Sequence, residues 1–140
     1  MRIYVVDASV VTKCFIIEDQ SEKATEVIDA HTKGYLSLSA PSLIIYELGN
    51  VFWKHPQISY EKTYMYIKRF LDLQIKLVDI WSDAEPLKNV CRTSEIRNVT
   101  FYDASYVGLA EENETKLITA DAVLRDKAAD VTVLLEEFKV

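Results

Sequence analysis

Glycine and proline are scarce in this chain, three of each in 140 residues, which leaves little room for long irregular loops or linkers. Histidine and cysteine are scarcer still. His31 and His55 stand alone, and Cys14 and Cys91 lack CxxC spacing and lie far from both histidines in sequence. That supply of ligands argues against a zinc site. The two cysteines, each in an apolar or helical setting, are expected to be buried free thiols of a reducing compartment. No apolar run approaches the roughly 20 residues that a membrane span requires. Strand-like sequence begins almost at once, so no secretory signal is expected and the expected location is the cytoplasm. A Ser-His-Asp set, a P-loop and a GxGxxG turn are all missing, so the common α/β chemistries lack their parts.

Basic residues are also in deficit. Sixteen Lys and Arg stand against 22 Asp and Glu, a formal charge of −6. Broad nucleic-acid binding normally rests on the opposite excess. The objection lapses if several acids are held by divalent cations, which reverse the local sign.

What is present is an alternation of short apolar runs with longer helical periods, without repeats. Strands are predicted at 2–6, 35–39, 75–80, 116–120 and 131–135. Helices are predicted at 8–15, 20–33, 42–54, 59–73, 82–97, 102–113 and 122–129, with Gly34 ending the second. Such alternation implies one α/β domain over 1–140 with a mostly parallel sheet of about five strands. Ligands of such sheets bind beyond the carboxyl ends of the strands.

Two acids fall at such ends: Asp7 after Ile3-Tyr4-Val5-Val6, and Asp121 after Leu117-Ile118-Thr119-Ala120. Each also suits a helix N-cap, and neither persuades alone. Glu47 is more informative. It lies in "PSLIIYELGNVFWK", where positions 44, 47, 48 and 51 share one helical face, so it interrupts an apolar stripe. An unpaired carboxylate there would tend to hold its proton; a Lys or Arg partner or a cation would relieve it. Asp103 follows Thr100 in a capping-box pattern, yet shares a face with Tyr106, Val107 and Ala110. Glu111, Glu112 and Glu114 read instead as a solvated run at a helix end. Were Asp7, Glu47, Asp103 and Asp121 to converge, their mutual repulsion would call for hard cations, Mg²⁺ or Mn²⁺. That chemistry suits phosphodiester hydrolysis, because a bound water becomes a nucleophile near neutral pH.

These acids, in this order, resemble the PIN-domain family, in particular its toxin ribonucleases of the VapC type. The similarity runs through "VVDASVVTKCFIIED", "GYLSLSAPSLIIYELGNVFWK" and "TFYDASYVGLAEENETKLITAD" to the strand near the C-terminus, essentially the whole chain. The resemblance implies a three-layer fold with helices on both faces of the sheet. It also implies an acidic quartet of Asp7, Glu47, Asp103 and Asp121 that holds Mg²⁺ or Mn²⁺ for endonucleolytic cleavage of single-stranded RNA. Thr119 matches a position that orients the last acid or a water, and Ser9 and Asn50 match polar positions beside the first two acids; helix-start and solvent roles compete for all three. A homodimer and a cognate antitoxin protein are implied as well.

Lys13, near the first acid, is a candidate for an RNA phosphate or a solvated lysine, and Arg92, Arg97 and Arg125 are further candidates for positioning contacts. Tyr60, Tyr64, Ile67 and Leu71 follow helical spacing, which suits core, a dimer or antitoxin surface, or stacking on unpaired bases. Two rivals remain: a PIN-type nuclease outside a toxin pair, and a non-catalytic binding module of the same fold. A receiver-like phosphoacceptor domain lacks support, because "VVDAS" offers a single acid and "LITAD" no lysine.

Overall fold

The computed structural model describes residues 2–140. The elements run β1 (Arg2–Val6), α1 (Ala8–Val11), α2 (Ser21–Thr32), β2 (Leu36–Pro41), α3 (Ile44–Lys54), α4 (Tyr60–Asp72), β3 (Lys76–Val78), α5 (Ala84–Arg97), α6 (Phe101–Glu112), β4 (Leu117–Thr119), α7 (Ala122–Lys127) and β5 (Thr132–Leu134). Helix starts follow local side-chain chemistry. Ser59 accepts the Lys62 N–H at 3.2 Å to open α4, and Thr100 accepts the Asp103 N–H at 3.1 Å to open α6. Gly34, with φ of 82°, lets the chain leave α2 in a left-handed conformation.

The strands form one sheet of order β3-β2-β1-β4-β5 in which every pairing is parallel. Right-handed crossovers then place the helices linking β1, β2 and β3 on one face and those linking β3, β4 and β5 on the other. The strand order reverses between β1 and β4, so the crevice of this sheet lies beyond Val6 and Thr119.

The expected three-layer α/β architecture holds, with local differences. The predicted helix at 8–15 is α1 followed by a single 3-10 turn at Thr12–Cys14. Pro41 closes β2 instead of opening a loop: it is paired with Val78, and the Ser42 N–H continues the ladder to Val78 O at 2.9 Å. In α3 the buried stripe is Ile44, Leu48 and Phe52, whereas Val51 is exposed. Glu47 therefore borders the stripe, half-buried.

On α4 the inward residues are Tyr66 and Phe70. Tyr66 joins Phe15 and Phe52 in an aromatic cluster with centroids 5.2–5.7 Å apart. Tyr60, Tyr64 and Leu71 face outward and only Ile67 packs on the core, so the core alternative for that set is withdrawn. The helix turns its 66/70 ridge to α3, which leaves the 60/64 ridge to solvent. Helix α6 is enclosed all round: every residue from Ala104 to Ala110 is buried. Gly108 permits this, since a Cβ there would meet Val90 Cγ2 of α5 at 3.0 Å. Among the described residues no helix is long and apolar enough to cross a membrane.

Truncating Phe52, fully buried at the centre of the aromatic cluster, should lower unfolding free energy by about 3–5 kcal/mol in a urea titration. Val51→Ala, one residue away on the exposed side, should cost under about 1 kcal/mol.

Candidate active site

Asp7 follows the last residue of β1 and caps α1. Its Oδ1 accepts the Ser9 N–H at 3.0 Å and the Ser9 hydroxyl. The same Ser9 Oγ accepts the Ala120 N–H at 2.9 Å, just past the end of β4, and lies 3.5 Å from Thr119 Oγ1. Thr119, wholly buried, accepts the Asp121 N–H at 3.0 Å. One serine and one threonine thus tie together the two strand ends that carry the first and last acids. Burial pushes the Asp7 carboxyl up to about 6, with Glu47 adding to the rise, while Ser9 and Thr119 pull the other way.

Glu47 takes a 2.5 Å hydrogen bond on Oε1 from the hydroxyl of Tyr106, a nearly buried residue of α6. Burial raises its carboxyl pKa, the Tyr106 bond opposes this, and Asp103 adds to it. The Tyr106 hydroxyl is itself driven well above its usual range by burial and by Glu47 and Asp7. Asp103 is half-buried and raised by burial and by Asp121, against Thr100 and Lys127, which lower it. Asp121 is exposed and accepts the Val123 and Leu124 amides at the start of α7, at 2.9 and 3.2 Å. Asp103 and Asp121 line one recess with Thr100, Asn98 and Lys127; Glu47 lines another with Leu43, Tyr46, Asn50 and Tyr102.

The four acids therefore form a row, each felt electrostatically by the next: Asp7, Glu47, Asp103, Asp121. A tight cage is not formed. Among the described residues no three His, Cys, Asp or Glu side chains are disposed to hold one ion. The physical reason is visible in the partners: Asp7 is drawn to Ser9, Glu47 to Tyr106 and Asp121 to the α7 amides. The donor set, carboxylate oxygens without His or Cys, matches hard cations that keep part of their water shell.

The structure places the remaining candidates differently. Lys13 donates to Glu18 at 3.2 Å and to the Asp19 carbonyl at 2.9 Å, turned to its own loop. Arg97 pairs with Asp130 at 2.7 Å and Glu111 at 3.2 Å, and Arg125 with Glu137 at 3.2 Å. Glu111 thus leaves the expected solvated run, since it also accepts the Thr93 hydroxyl at 2.7 Å. Cys91 is exposed, contrary to expectation, and Cys14 is partly buried with its thiol pushed up to about 11 by burial. His31 has a structural role, bridging the Leu38 N–H and the Leu73 carbonyl at 3.0 Å each. Asn50 lies beside Glu47 but exposed. Two residues of the site escaped sequence reasoning. Tyr106 was placed on the face of Asp103 but given no partner, and Lys127 gave no signal.

With this geometry in view, the class is defined: the chain belongs to the PIN-domain family, whose model matches residues 4–130. It is 31% identical over 126 residues to Ribonuclease VapC3 of Pyrobaculum aerophilum, which covers 88% of this chain and 92% of that one. It is 36% identical over 96 residues to Exonuclease VapC9 of the same organism, covering 66% and 71%. The structure of VapBC2 from Rickettsia felis, bound to a DNA fragment from its promoter, aligns with a TM-score of 0.69 at 13% identity, covering 94% and 98%, a likeness of fold.

Asp7 carries a testable sign. Its pKa is raised on folding, so the native state binds the extra proton, and stability falls as pH rises from about 4 to about 6, with the full penalty above that. The shift corresponds to about 3 kcal/mol. In chelator, Asp7→Asn should raise Tm at pH 7 and lose that advantage below about pH 4, followed by thermal melts across pH.

Proposed function

We propose that this chain, acting as a single nuclease domain, is an endoribonuclease that hydrolyses phosphodiester bonds of single-stranded RNA with Mg²⁺ or Mn²⁺. We propose further that it is the toxin of a toxin–antitoxin pair. The observation that carries this is the row of acids at the β1/β4 crevice of a PIN-domain chain, with Asp7 and Asp121 joined through Ser9 and Thr119. Its likeness to Ribonuclease VapC3 over most of both chains supports the same chemistry.

Asp7, Glu47, Asp103 and Asp121 would hold the cation in part through waters that it keeps, since no three of them are disposed around one point. When bound it supplies a nucleophilic water and neutralises charge on the phosphate. The chain's own part is preparation. Ser9 and Thr119 fix Asp7, whose carboxyl must shed its proton before it can act as a ligand. Tyr106 occupies Glu47 Oε1 and so limits that side chain's freedom. Lys127, beside Asp103 and bonded to the Asn98 carbonyl at 2.8 Å, is a cation at the border of the acids.

A homodimer and an antitoxin belong to the same proposal. Trp53, Tyr60, Tyr64, Met65 and Leu71 form exposed apolar surface on α3 and α4, which suits a protein partner. The VapBC complex of like fold supports the antitoxin. One relative is named an exonuclease, which supports attack from a chain end as the alternative.

The test is cleavage of linear and circularised single-stranded RNA in Mg²⁺ or Mn²⁺, with chelator as control. Cleavage of the circle is expected. Asp7→Asn and Asp103→Asn should each lose more than about a hundredfold in rate while keeping the fold by circular dichroism, since loss of even an outer partner of a ligand costs 10- to 100-fold. Parent-like cleavage by these variants would remove the acidic row from the chemistry, and attack on linear RNA alone would favour the exonuclease.

A further inference from the structure

The recess beside Glu47 has a composition that the acids do not require. Helix α3 contributes Tyr46, Glu47 and Asn50, with Leu43 just before it, and α6 contributes Tyr102, the residue preceding Asp103; together they enclose about 440 Å³. Tyr46 and Tyr102 are 76% and 65% exposed, and neither ring packs on another aromatic ring of the described chain. Asn50 is exposed, and its amide makes no hydrogen bond to another described residue, so a donor and an acceptor remain free.

Cationic help for a phosphate is meanwhile thin. Lys13, nearest Asp7 in sequence, is turned to Glu18 and Asp19, and among the described residues Lys127 is the one cation felt by Asp103. A chain of charge −6 offers little net attraction to phosphates. It does offer flat π-faces and an amide at the wall of the acidic row.

We propose that this recess is a nucleobase subsite. It takes one unpaired base of the substrate, stacked on Tyr46 or Tyr102 or between them, with Asn50 on the polar edge of the base. The attached phosphate then falls beside Glu47 and Asp103. Unpaired bases are the part of RNA that aromatic side chains recognise, and stacking tolerates any base because every base has a π-face. The subsite rests on the nuclease reading above and adds to it the source of affinity. Recognition here depends on bases more than on backbone charge, which restricts substrates to RNA whose bases can leave a helix.

The experiment uses the full chain and short single-stranded RNA carrying 2-aminopurine or an abasic residue at each position around the cut. Tyr46→Ala and Tyr102→Ala should each raise KM by roughly tenfold, the scale of one stacked base, while kcat changes little. An abasic residue at one position should cost the parent a similar factor and cost the double variant nothing more. On the Asp103→Asn background, 2-aminopurine at that position should be quenched on binding, and quenching should vanish in the double variant. Affinity should fall only shallowly with salt, and with the same slope in parent and variants.

Unchanged KM together with unchanged abasic sensitivity would overturn the subsite. So would tyrosine variants that bind RNA like the parent but lose self-association or hold a basic partner peptide less tightly, since the face would then be a protein contact. The two levels stay separable. A parent chain that cleaves no RNA in either metal sinks the nuclease reading, whereas a cleaving parent with indifferent tyrosine variants sinks only the subsite.

Discussion

The end of β1 is joined to the end of β4 by a serine hydroxyl that donates to Asp7 and accepts the amide of Ala120. Much of the site depends on that join. It lies where the strand order reverses, the one place in an open parallel sheet where two neighbouring strands send their chains to opposite faces and leave a crevice. Asp7 and Asp121 are far apart in sequence, and Ser9 with Thr119 joins the two adjacent strand ends that carry them. Helices α3 and α6 then bring Glu47 and Asp103 from above and below the same edge.

Placing acids at the border of a core sets stability against function. Asp7, Glu47 and Asp103 are all raised by burial, and each feels the next acid in the row. The fold manages this by giving three of the four carboxylates a local donor: the Ser9 hydroxyl for Asp7, the Tyr106 hydroxyl for Glu47 and the α7 amides for Asp121. Those donors hold the side chains apart as well as in place, which is why the arrangement is a row. Some of the basic residues are treated likewise: Lys13, Arg97 and Arg125 are each paired with an acid outside the row.

The sequence made the architecture legible because strands covered on both faces read as continuous apolar runs and helices as 3.6-residue periods. All five strands and seven helices lie within a few residues of their predicted positions. The four acids stood out in the sequence for a related reason: each breaks a pattern, two at strand ends and two on helical faces that the structure shows half-buried. What escaped notice depends on loop geometry and on long-range packing. Lys13 stands near Asp7 in sequence, yet the loop that follows folds Glu18 and Asp19 back onto it. Glu111 looked like its solvated neighbours until α5 brought Arg97 and Thr93 against it. The outward turn of Tyr60 and Tyr64 follows from which ridge of α4 meets Phe52, and periodicity alone does not choose between ridges.

Helix α6, buried from Ala104 to Ala110 and pressed against α5 at Gly108, carries both Asp103 and Tyr106. The amides of that buried middle are expected to meet solvent only in a global opening of the domain, unlike those of the exposed first turn. Occlusion is therefore the control that this anchoring favours. A molecule laid over the exposed first turn would cover Asp103 without having to move the buried turns behind it.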